Sequence, residues 1–60
     1  MSPFEHGYLI AVANIINLHG ETVVAKDVAR ELGVTWRQIA RADLAEYDLV
    51  ALKKIKEAFM

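Results

Sequence analysis

Sixty residues are enough for one domain and no more, and a chain of that size buries only about 60% of its unfolded surface, so it needs a tight core or a partner. The absence of cysteine excludes a disulfide framework and a thiolate metal site, and a net charge of −1 argues against an indiscriminate polyanion binder. The hydrophobic fraction, 55%, is high for so small a domain and has to be covered somewhere, a subunit interface being one candidate place.

Charge is unevenly distributed. Residues 1–24 carry Glu5 and Glu21 and no Lys or Arg, while all seven basic residues follow, among six acids. Cysteine-free composition points to a reducing, cytoplasmic setting. Met1–Gly7 lacks a basic start and is interrupted by Glu5, so no secretory signal is expected. Tyr8–Leu18 is apolar but too short to span a bilayer, and it contains Asn14 and Asn17.

Ser2-Pro3-Phe4-Glu5 opens the first predicted helix. Ser2 is a cap, Pro3 suits the first helical position, and Glu5 suits the positive end of the dipole. The helix is expected to run to about Leu18, with His19 in its last turn and Gly20 closing it. Gly7 inside it costs roughly 1 kcal/mol relative to Ala; either another backbone passes close there or the helix proper begins at Tyr8. The helix is apolar nearly all round, with a narrow stripe of Pro3, His6, Asn14 and Asn17 interrupted by Ile10. Such a helix is either central or shared between subunits. A homodimer is the expectation, through Leu9, Ile10, Val12, Ile16 and the Asn14/Asn17 stripe with Phe59 nearby, some of these residues packing within the chain and the rest facing the second copy.

Glu21–Val24 reads as a short connection, and Ala25–Ala42, AKDVARELGVTWRQIARA, follows as the stretch around which the chain is organised. Val28, Ala29 and Leu32 share a face of one helix. Gly33 can take the left-handed conformation that ends it, and Val34 folds back on the helix it leaves. Thr35-Trp36-Arg37-Gln38 is a capping box that starts the next helix, and Val34 with Ile39 forms a hydrophobic staple around it. Each device alone is common. All of them within one turn specify two helices at a sharp, fixed angle.

This stretch resembles the helix-turn-helix of bacterial and phage transcription regulators, especially the lac-repressor family. The residues that carry the resemblance are Val28-Ala29 in the first helix, Gly33-Val34-Thr35 at the turn and Ile39 in the second helix. It covers about a third of the chain and is a superfamily-level match. In such proteins Ala29 lies where the helices cross closely and Ile39 locks the second helix to the core. Val24 stands where these motifs often carry a Ser or Thr cap, leaving either a loose start or an earlier one at Thr22.

Beyond the motif, two starts are open for the last helix: a capping box of Asp43 with Glu46, or a cap at Asp48 after a longer second motif helix. Leu49–Phe59 is expected to be helical, with Leu49, Leu52, Ile55 and Phe59 inward and Lys53, Lys54, Lys56 and Glu57 largely outward. No segment alternates with period two. The expected architecture is therefore an all-α, four-helix single domain over residues 1–60, containing a helix-turn-helix and no wing.

Little in the chain suits catalysis or a cofactor. The one serine is Ser2 at the terminus. His6 and His19 are about 20 Å apart along one helix, too far to share a metal, and both read as structural. The functional candidates lie on the second motif helix. With Ile39 inward, Arg37 and Arg41 fall on the opposite face and Gln38 on the flank. Arg can pair bidentately with guanine and Gln with adenine in the major groove. Thr35 can offer its hydroxyl or backbone N–H to a phosphate. Trp36 has two readings, an inward plug of the core or a DNA contact. Lys26, on the first motif helix, is a candidate phosphate contact because the resemblance implies that this helix crosses the DNA backbone; beside it, Asp27, Arg30 and Glu31 suit a surface salt-bridge ladder. The expected function is sequence-specific binding of double-stranded DNA by a small regulator or excisionase-like factor, of phage or mobile-element type. The alternative, favoured by the net charge and the apolar first helix, is a protein-binding module, an inhibitor or assembly adaptor, on the same fold.

Overall fold

A computed structural model describes residues 1–59. Four α-helices follow one another: α1 (Pro3–His19), α2 (Thr22–Leu32), α3 (Trp36–Arg41) and α4 (Glu46–Lys53), with a 3₁₀ turn at Lys56–Ala58. No strand occurs among the described residues.

The boundaries of α1 follow from local chemistry. Ser2 Oγ accepts the Glu5 N–H at 3.1 Å, and the Glu5 carboxylate accepts the Ser2 N–H at 2.9 Å. At the far end Gly20, at φ 66°, closes the helix by donating its N–H to the Ile16 carbonyl at 2.8 Å. Neither expected explanation of Gly7 holds. The helix runs through it from Pro3, and a Cβ built there meets nothing within 4 Å.

The expected Glu21–Val24 connection is shorter, because α2 already begins at Thr22 with Glu21 in the cap position and no side-chain cap. Val24 is therefore inside the helix. α2 packs mainly on α1. Ala25 and Ala29 are fully buried, where short side chains let two backbones approach closely. The Tyr8 hydroxyl adds a tie between the helices, donating to the Val28 carbonyl at 2.7 Å.

Gly33 takes φ 76°, and Thr35 and Gln38 form the reciprocal cap that opens α3. Val34 and Ile39 on either side of the cap are both buried. The angle between α2 and α3 is thus set by a left-handed turn, a cap and an apolar clasp within a few residues.

The C-terminal third departs from expectation. Neither Asp43 nor Asp48 caps α4. The cap position belongs to Ala45, which makes no side-chain hydrogen bond. The segment before it is held instead by His6, whose Nε2 lies 2.8 Å from the Asp43 carbonyl; a carbonyl can only accept, so Nε2 carries the proton. The expected helix through Phe59 stops at Lys53. Continuing it would carry Phe59 along the helix axis, whereas the 3₁₀ turn brings it back against Trp36, 3% exposed.

The expected dimer face needs correction. Leu9 and Val12 are fully buried, Ile16 is 5% exposed and Phe59 3%, all within the single chain. Of the five residues assigned to a subunit contact, only Ile10 is partly open. The reason is that α1 is covered on two sides, by α2 and by α4. It is the centre of a one-chain core that also takes in Val34, Ile39, Leu44, Leu52 and Ile55. No polar or charged residue is buried among the described residues.

Candidate nucleic-acid interface

The outward side of α3 is built from two constraints. Ile39 is fully buried, which fixes the rotation of the helix. At about 100° per residue this turns Arg37 and Arg41 away from the core by roughly 160° each, and both are exposed. Neither makes a salt bridge among the described residues. The cations of α2 are placed differently. Lys26 Nζ is 2.8 Å from Glu57 Oε1, and Arg30 is 3.4 Å from Asp27. Lys26, expected as a phosphate contact, is thus paired with an acid from the last turn, in an ion pair that stays open to solvent.

The cap chemistry also redistributes roles on α3. Gln38 Oε1 accepts the Thr35 N–H at 2.8 Å and the Thr35 hydroxyl at 3.3 Å, while Thr35 Oγ1 accepts the Gln38 N–H. A bidentate pairing with adenine needs the amide oxygen and nitrogen together, and the oxygen is already committed. Gln38 is exposed, and its side-chain N–H groups have no partner among the described residues. Thr35, expected to reach a phosphate, has given both its donors to Gln38. These two residues hold α3 in place.

Trp36 takes a position between its two expected readings and nearer the inward one. Its half-buried ring leans on Phe59, with centroids 6.2 Å apart and planes at 41°. Lys56 Nζ stands 5.3 Å from the ring centroid, a cation–π distance. The last turn of the chain thus buttresses the start of α3. Sequence reasoning missed this, since nothing local ties Lys56, Glu57 or Phe59 to residues on α2 and α3.

At its other end α3 borders an open depression lined by Ser2, Pro3 and His6 of the α1 start and by Gln38, Arg41 and Asp43. Most polar groups there are already satisfied: Ser2 by Glu5, His6 by the Asp43 carbonyl, Gln38 by Thr35. Arg41 makes no salt bridge among the described residues although Asp43 lines the same depression.

No group of three or more His, Cys, Asp or Glu gathers to hold a metal among the described residues. None of their helices is long and apolar enough to cross a membrane. The chain matches no family model, no curated protein and no solved structure.

Proposed function

We propose that this chain binds double-stranded DNA in a sequence-specific manner, as a small regulator or excisionase-like factor of the phage or mobile-element kind acting in the cytoplasm. In this reading α2 and α3 work as a helix-turn-helix, and α3 enters the major groove. The observation that carries it is the pair Arg37 and Arg41, exposed and without a salt bridge among the described residues, on the outward side of a helix whose angle is fixed at its entrance. Each can offer two parallel N–H donors to the O6 and N7 of guanine, and the Gln38 amide N–H groups add a single-point contact. The chain acts by binding, with no cofactor and no catalytic role.

Two copies on one site belong to this reading, because a helix of six residues reaches only a few base pairs. Half-sites would then lie about 34 Å apart. The contact between copies uses side chains other than Leu9, Val12, Ile16 and Phe59, which are inside each chain.

One observation favours the protein-binding alternative. Phe4, Leu18 and Val23 are each 70% exposed, and outward apolar side chains suit a protein partner better than DNA. The test that separates the two is selection from a pool of random duplexes. Enrichment of a guanine-containing consensus supports DNA recognition. A pool that stays random through repeated rounds sinks it and leaves the protein-binding module.

A further inference from the structure

We infer that Lys56, from the final turn of the chain, is a backbone-phosphate contact belonging to the α3 surface, a role that rests on the DNA reading above. The turn Lys56–Ala58 sorts its two charges to different neighbours. Glu57 is drawn to Lys26 at 2.8 Å, while Lys56 stands over Trp36 at 5.3 Å from the ring centroid. The acid next to Lys56 in sequence is thereby engaged, and the ammonium arrives at the first residue of α3, whose neighbour in the chain is Arg37.

The position is built rather than incidental. Ile55 before Lys56 is fully buried, and Ala58 and Phe59 after it are 8% and 3% exposed. The backbone that carries Lys56 is therefore anchored on both sides, and the Trp36 face restrains the side chain. An ammonium is a compact point charge with three donors. It suits a phosphate oxygen, which fixes register on a duplex without reading sequence. Arg37 and Arg41 then supply base contacts and Lys56 supplies position. Trp36 is the platform that sets Lys56, which explains why an aromatic residue on α3 faces the chain terminus.

The measurement is the salt dependence of binding to a mixed-sequence duplex and to the selected duplex, by fluorescence anisotropy, for the parent, Lys56→Gln and Lys56→Arg. Loss of one phosphate contact lowers the magnitude of the slope of log K against log salt by about 0.9. Lys56→Gln is expected to show that loss on both duplexes alike, with Lys56→Arg close to the parent. Circular dichroism shows that each variant is folded. A folded Lys56→Gln with the parent's slope overturns this assignment, leaves the DNA reading standing, and makes Lys56 a packing residue of Trp36. A parent that binds neither duplex at low salt removes the DNA reading and the role of Lys56 together.

Discussion

Lys26 in the middle of α2 and Glu57 in the last turn of the chain hold each other at 2.8 Å, joining elements from opposite halves of the sequence. The hydrogen bond from Lys26 holds the Glu57 carboxyl below its ordinary value of 4.5, with smaller help from a backbone hydrogen bond and from the charges of Lys26 and Arg30. A lowered folded value means that the stabilisation is complete above the unfolded value and is lost as pH falls through the folded one. The pair is exposed and its contribution is small, so the comparison must be between variants. Melting temperature is expected to fall more between about pH 5 and about pH 3 in the parent than in Glu57→Gln. Equal falls would show that the pair contributes nothing to the folded state.

Gly33 sits at φ 76°, and a Cβ placed there would touch nothing within 4 Å. Any cost of substitution is therefore backbone strain alone. Gly33→Val is expected to destabilise by about 1–3 kcal/mol, because a β-branched residue rarely adopts this region. Gly33→Asn, which tolerates it better, should cost clearly less. Thermal melts of the two variants check the order. An unchanged midpoint for Gly33→Val would mean that the turn does not need the left-handed conformation.

Gly7 is the opposite case. It is helical, exposed and unopposed. Gly7→Ala is expected to stabilise by about 1 kcal/mol, which raises the midpoint by roughly 4–8 °C in a domain this small. A lower midpoint would indicate that something passes close to Gly7 after all.

The difference between these glycines shows which parts of the fold could be read from sequence. α1 and the α2–α3 turn are specified by residues within a few positions of one another: Ser2 with Glu5, Gly20 closing the helix, Gly33, Thr35 with Gln38. Local signals of that kind survive folding because the atoms that satisfy them are already adjacent. The C-terminal third has none. The spacing of Leu49, Leu52, Ile55 and Phe59 suits a continuous helix, yet the helix ends at Lys53 because Phe59 finds Trp36 and Glu57 finds Lys26. Both partners are remote in sequence. The same blindness affected the candidate site. Arg37 and Arg41 could be placed outward from Ile39 alone, whereas the engagement of Lys26 by Glu57 and the approach of Lys56 to Trp36 are tertiary facts. The apolar surface of α1 was legible as an excess but not as a destination, since only the packed chain shows that α2 and α4 cover it.

The cap position before α4 is Ala45, whose extended backbone (φ −61°, ψ 144°) has the form of a cap without the side chain to make one. Ala45→Ser is expected to stabilise by about 1 kcal/mol by accepting a free N–H of the first turn. Chemical denaturation with an unchanged slope and a higher midpoint would agree with this. No gain would imply that the first turn of α4 is already satisfied by another group.

Base reading by α3 through Arg37 and Arg41 is the proposal on which the DNA function depends, and Arg41→Ala probes it. Arg41 is exposed and makes no ion pair among the described residues, so folding should be unaffected. The measurement is the affinity of parent and variant for the selected duplex and for a scrambled one, at the same stated salt. If Arg41 reads a base, the expected loss is about 1–3 kcal/mol on the selected duplex and much smaller on the scrambled one. An equal loss on both would reduce Arg41 to a phosphate contact and contradict base reading by α3.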